Sequence, residues 1–267
     1  MINNTLRHGN FTSSKIGDLM TKGKQELGFG APAITYIEEK NMERKLGRSL
    51  TTEVNARPLQ WGKHCETLVF DLLGLEYTLT STDTLSHPVI DYWSGSPDGY
   101  SPEAVIDIKA PMTLKSFCQL VDPLYNGLSG NESIALIRKN HKEGDDYFWQ
   151  LVSNAILTNK NVAELIVYMP YHSELQTIKS TAEGNKSAYW IWAASDDELP
   201  YLVEGGYYTN LNVIRFDVSD ADKLALTENV KKAGTLLVPR GGDFAMAAHD
   251  PTINATIVSP ASLLQKI

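Results

Sequence analysis

Within the segment AVIDIKAP, Asp107 and Lys109 stand two residues apart. On an extended strand successive side chains point to opposite faces, so this acid and this ammonium share one face while Ile106, Ile108 and Ala110 take the other. A carboxylate can bind a hard cation through oxygen, and a neighbouring ammonium can orient water or steady charge on a phosphate. The pair alone also suits an exposed ion pair. A second acid, Asp98 in the turn SPDG just upstream, changes the reading, because a hairpin would bring it beside Asp107. Two converging carboxylates repel unless a cation lies between them, which points to Mg²⁺ or Mn²⁺. Glu66, on the helical stretch WGKHCETLVF, would add a third carboxylate from a separate element.

The pattern of the chain predicts the elements that must carry these groups. FTSSKIGDLMTKG reads as a short helix entered through Ser/Thr and ending near Gly23. ITYIEEKNMERKLGR reads as a helix with Ile34, Ile37, Met42 and Leu46 on one face. LQWGKHCETLVFDLLG reads as a helix with a stripe of Trp61, Cys65, Leu68, Val69 and Leu72, stopped at Gly74. From 76 to 110 the period shifts to strands, with EYTLTSTDTL and PVIDYWSGSPDGY before AVIDIK, which Pro111 ends. TLKSFCQLV and DYFWQLVSNAILTN return to helical spacing. AELIVYMPY, AYWIWAAS and LNVIRFDV read as strands, and 218–233 as a polar helix. No pattern assigns 234–267. The order predicts an α/β protein, a central mixed β-sheet flanked by helices, in one domain over 1–267.

Composition sets the frame. An apolar share of 42% and a charged share of 21% fit a soluble globular chain. No run reaches the length of a membrane span and the N-terminus lacks a signal-peptide pattern, so the expected compartment is the cytoplasm. Two cysteines, Cys65 and Cys118, cannot build a disulfide framework and read as buried thiols. No histidine has zinc-ligand spacing. The net charge of −8 argues against nucleic-acid binding over the whole surface. Residues 1–64, however, carry 10 Lys and Arg against 6 Asp and Glu, so a local basic groove is open to the chain. The cluster Arg138, Lys139, His141 and Lys142 reads as a loop that is either solvated or set against a DNA backbone.

Taken in order, TEVNARPLQWGKHCE (52–66), SPDGY (96–100), IDIKAPMT (106–113) and YFWQLVSNAIL (147–157) resemble the lambda-type phage alkaline exonuclease and YqaJ-like viral recombinase family of the PD-(D/E)xK nuclease superfamily. LRHGNFTSSKI (6–16) resembles that family's N-terminal segment, and the likeness runs over roughly 6–170. The resemblance implies a restriction-endonuclease-like core and a Mg²⁺- or Mn²⁺-dependent, two-ion hydrolysis of DNA. It implies Asp98, Asp107, Glu66 and the Ile108 carbonyl as metal ligands, Lys109 to position or activate the attacking water, Gln150 to hold that water or the lysine, and Tyr147 to support the helix of Gln150. It implies Arg7, Ser14 and Ser96 as the grip on a 5′-terminal phosphate. It implies 5′→3′ removal of nucleotides from double-stranded DNA ends in phage-type recombination, a single-strand annealing protein as partner, and a homotrimeric ring.

The chain departs from the family in two places. Asp107 stands where the family usually has Glu, and its shorter arm alters metal spacing. Residues 181–267 follow the family poorly, with an insertion expected around 181–212. Two other readings compete. One is a PD-(D/E)xK endonuclease, which would not need a free 5′ end. The other is a non-catalytic DNA-binding protein of the same fold, against which the intact Asp98, Asp107, Lys109 and Gln150 set speaks.

Overall fold

The computed structural model describes residues 7–24, 28–50, 56–74, 76–79 and 83–240. In chain order the elements are β1 (Phe11–Thr12), a 3₁₀ segment (Ser13–Met20), α1 (Ala31–Leu46), α2 (Arg57–Leu72), β2 (Thr78–Leu79), β3 (Leu85–Ser86), β4 (Trp93–Gly95), β5 (Gly99–Tyr100) and β6 (Ala104–Lys109). They continue with α3 (Leu114–Tyr125), α4 (Gly130–Asn140), α5 (Gly144–Thr158), β7 (Val162–Tyr168), α6 (Leu175–Ala182), α7 (Tyr189–Ala193), β8 (Leu211–Asp217) and α8 (Asp220–Gly234).

The main sheet has the order β2-β5-β6-β7-β8, with β6 and β7 parallel and the other pairs antiparallel. The parallel pair forces a crossover, and α3, α4 and α5 supply it. Period-two alternation then divides two cores across the sheet. Val105, Ala163, Leu165, Val167, Ile214 and Phe216 face α5 and the helices around it. Ile106, Ile108, Ala110, Ile166 and Tyr168 face α2, α6 and α7, where Trp61, Cys65, Val69, Ile178 and Ile191 close the second core. This mixed sheet clad by helices on both faces is the expected α/β, restriction-endonuclease-like architecture. A smaller sheet, β1-β4-β3, ties the N-terminal segment to the residues just before Asp98.

Several local expectations are corrected. In α1 the buried side is Ala33, Tyr36, Ile37, Lys40 and Glu43, while Met42 and Leu46 face solvent. Glu43 accepts from Lys40 Nζ at 2.8 Å and from Gly9 N–H at 2.8 Å, so a paired charge takes a position where the pattern favoured an apolar residue. In α2 the stripe holds at Trp61, Cys65 and Val69, but Leu72 is exposed, and Leu73 caps the helix one residue before Gly74. AYWIWAAS is not a strand. It forms α7, where Ile191 enters the core and Tyr189 and Trp192 meet at 5.1 Å on the outside. Aromatic and β-branched residues prefer strands only where a sheet surface receives them, and here they cover α6 instead. Arg138 and Lys139 belong to the last turn of α4, not a loop. Cys65 is fully buried and burial drives its thiol pKa up, whereas Cys118 is only half-buried.

After α8 the chain returns to α1: Asn41 bridges Leu236 and Val238, and Arg44 donates to the Val238 carbonyl at 3.0 Å. Residues 241–267 lie outside the described residues, as does most of the unassigned 234–267 stretch. Among the described residues no helix is long and apolar enough to cross a membrane.

Candidate active site

Strand β6 is buried along nearly its whole length, and Asp107 is completely buried within it. A carboxylate so placed needs donors. It has two, both on its own face of the sheet. Gln150 Nε2 of α5 donates to Asp107 Oδ1 at 2.6 Å, and Lys109 Nζ lies 2.7 Å from Asp107 Oδ2. The second contact is an ion pair whose geometry falls short of an aligned hydrogen bond, since Oδ2 lacks a hydrogen-bonded partner. Lys109 Nζ also donates to Gln150 Oε1 at 3.4 Å, so acid, amide and ammonium close a triangle. That triangle fixes which way the Gln150 amide points.

Asp98 enters from the bend between β4 and β5, where its Oδ2 accepts from the Ile108 N–H at 2.7 Å. Ile108 therefore meets Asp98 through its backbone N–H, whereas the sequence expectation concerned its carbonyl. Tyr147, one turn before Gln150 on α5, places its ring under the Lys109 ammonium at 4.7 Å. Its hydroxyl donates to Glu143 at 2.6 Å, and burial together with that acceptor keeps the phenol protonated. Glu143 is a residue that the sequence reading passed over. The signal was present in the four-residue spacing of Glu143 and Tyr147 around the start of a helix.

The acids and the lysine bias one another's protonation. Burial raises the Asp98 carboxyl well above the usual carboxylate range, and Asp107 and Glu66 raise it further against the pull of Lys109 and the Ile108 N–H. Burial and Asp107 also raise Glu66 on α2. For Lys109, burial works against the charge, but Asp107, Asp98 and Glu66 outweigh it and hold its pKa above the ordinary lysine value. Three carboxylates thus share one lysine. A hard divalent cation suits this set by donor type and by charge, because it would relieve the repulsion that Asp98 and Glu66 carry. The buried Asp107 Oδ2, with no aligned donor, is the atom most suited to take it. In the arrangement described, no three metal-ligating side chains already converge among the described residues.

No family model and no curated protein matches the chain. Solved structures do. LHK-Exo, an alkaline exonuclease from Laribacter hongkongensis, aligns with a TM-score of 0.55 at 17% identity over 92% of this chain and 94% of that one. LHK-Exo in complex with dAMP aligns at 0.53 and 18% identity, over 87% and 90% of the two chains. A phage-related exonuclease from Haemophilus somnus aligns at 0.55 and 13% identity, over 92% and 98%. The fold is that of these exonucleases.

On this exonuclease fold the phosphate-gripping residues expected from the sequence are placed unevenly. β1 and β4 run parallel with Thr12 opposite Ser94, so Ser14 and Ser96, each two residues further on, leave the small sheet at the same end. Ser14 is exposed, with its hydroxyl 3.5 Å from Thr12 Oγ1, and Ser96 is half-buried, with its hydroxyl 3.1 Å from Thr84 Oγ1. Asp98 follows Ser96 by two residues, which links that end of the sheet to the acid cluster. Arg7 sits in the turn before β1, where its carbonyl accepts from the Asn10 N–H. Arg138 stacks on Phe148 at 3.7 Å and pairs with Asp145 at 2.8 Å, which gives it a packing role.

Proposed function

We propose that this protein is a metal-dependent deoxyribonuclease, a 5′→3′ exonuclease that works from the ends of linear double-stranded DNA in phage-type recombination. The observation that carries the reading is the closed set of Asp107, Lys109 and Gln150, with Asp98 tied beside it through the Ile108 N–H, on a fold shared with exonucleases. Asp98, Asp107, Glu66 and the Ile108 carbonyl would hold the metal, Mg²⁺ or Mn²⁺ and in two ions. Bound there, it would lower the pKa of a coordinated water and stabilise the departing oxygen.

The residues of the chain divide the remaining work. Lys109, cationic in the arrangement described, orients the water and steadies phosphate charge rather than removing a proton. Gln150 holds Lys109 and Asp107 in register. Tyr147 supports the lysine from below. Arg7, Ser14 and Ser96 grip a 5′-terminal phosphate, for which guanidinium and hydroxyl donors are well suited. The dAMP seen with LHK-Exo has the chemistry of a product released by such an enzyme. A homotrimeric ring and a single-strand annealing protein as partner complete the proposal.

The test compares 5′-phosphorylated linear duplex DNA with covalently closed circular DNA in Mg²⁺ or Mn²⁺. Loss of the linear DNA alone is expected. Cutting of the circle would replace the exonuclease with an endonuclease, and a lack of cleavage of either would favour a DNA-binding protein.

A further inference from the structure

His141 is a buried titratable side chain that the proposed chemistry does not use. It caps the C-terminal end of α4, one turn before α5 begins. Its Nδ1 accepts from the Glu143 N–H at 3.2 Å, so that nitrogen carries a lone pair. Its Nε2 lies 2.8 Å from Ser116 Oγ, in the first turn of α3, and is left as the donor. Burial favours this neutral form against the opposing influence of Glu143. The imidazole also lies beside the Tyr147 ring, with centroids 5.6 Å apart at an interplanar angle of 31°. One side chain thus touches both supports of the tyrosine: the turn that presents the Glu143 carboxylate, and the ring itself.

We propose that His141 is a positioning residue for Lys109. Through Nδ1 it fixes the turn whose Glu143 grips the Tyr147 hydroxyl, and through its ring it sets the tyrosine face on which the lysine ammonium rests. The chain of contacts is His141 to Glu143 at 3.2 Å, Glu143 to Tyr147 at 2.6 Å, and Tyr147 to Lys109 at 4.7 Å. A further hydrogen bond to Ser116 keeps the imidazole from turning. The proposal deepens the nuclease reading and rests on Lys109 being its working lysine.

The direct readout is independent of turnover. In ¹³C-lysine-labelled protein the Cε methylene that bears the Lys109 ammonium, which lies 4.7 Å from the Tyr147 ring centroid, is expected to carry that ring's current displacement, and Lys109→Arg identifies it. In His141→Ala that displacement should collapse while the other lysine resonances stay in place. His141→Asn, whose Oδ1 can replace Nδ1 as acceptor for the Glu143 N–H, should recover most of it. His141→Phe keeps a ring but loses the acceptor, and should not. On linear DNA, kcat of the Ala and Phe variants should fall by roughly ten- to a hundredfold. KM should stay within about twofold, because the DNA-binding groups are untouched. An unmoved Lys109 resonance in both His141→Ala and His141→Phe would overturn the proposal. A moved resonance in a protein that cleaves no DNA would uphold the bracing and dismiss the nuclease reading.

Discussion

The Gln150 side chain donates to Asp107 across 2.6 Å and accepts from Lys109 at 3.4 Å, and so bolts helix α5 to the strand that carries both charges. Asp107 is completely buried, so the bond acts on stability and geometry together. Gln150→Ala leaves a buried carboxylate oxygen without its donor and should lower stability by about 1–3 kcal/mol. It should also reduce kcat by roughly ten- to a hundredfold through a misplaced lysine. Gln150→Glu should be worse, because a second carboxylate then faces Asp107. Denaturant melts and single-turnover rates on linear duplex DNA check both.

Asp98 offers a test by pH. Its folded-state pKa is raised by burial and by Asp107 and Glu66. A raised folded pKa means that the native state binds the proton more tightly than the unfolded chain. That contribution to stability is fully present below the unfolded carboxylate pKa and is lost as pH rises through the folded one. Above the unfolded carboxylate pKa, Asp98 therefore costs stability relative to its protonated form. Asp98→Asn, which keeps an acceptor for the Ile108 N–H, should raise Tm of the metal-free protein at pH 7 and flatten its acid-side pH dependence. The same change should abolish DNA cleavage and weaken Mg²⁺ binding. Melting curves across pH, with and without Mg²⁺, read both effects.

Gly95 lies just before Ser96, where an added Cβ would come within 2.9 Å of Asn154 Oδ1 and 2.7 Å of Leu157 Cδ1. Gly95→Ala should cost about 1–3 kcal/mol by overpacking. By shifting Ser96 it should raise KM for 5′-phosphorylated ends more than for 5′-hydroxyl ends. Equal effects on the two substrates would separate Ser96 from the terminal phosphate.

Arg138 separates packing from DNA contact. With its guanidinium on Phe148 and paired to Asp145, Arg138→Ala should lower stability by about 1 kcal/mol. The slope of DNA affinity against salt should not change. A slope that flattens by about one counterion would return this residue to the DNA surface.

How far the chain could be read follows from the range of the forces involved. The Asp107–Lys109 face was legible because strand alternation is local and survives any tertiary packing. Asp98 was legible because the SPDG turn lies beside the strand that it joins. The burial of β6 on the Asp107 side did not show, because strand alternation marks that face as polar and only the helix packed over it removes it from water. α7 was misread because YWIWA satisfies strand preference, and only its seat against α6 decides for a helix. The buried face of α1 was misread because Lys40 and Glu43 neutralise each other out of water, a pairing that hydropathy does not register. His141 looked like one member of a basic surface cluster. Its tie to the lysine runs through Glu143 and Tyr147 and crosses from the end of α4 to α5, which no local pattern encodes.

Metal-dependent catalysis through Lys109 is tested by nucleotide release from 5′-phosphorylated linear duplex DNA by the wild-type protein and by Lys109→Ala, each in Mg²⁺ and in EDTA. Release is expected from the wild-type protein in Mg²⁺ only, and should be lost in Lys109→Ala while the variant stays folded and still binds DNA. Release that persists in EDTA, or in folded Lys109→Ala at the wild-type rate, would contradict it.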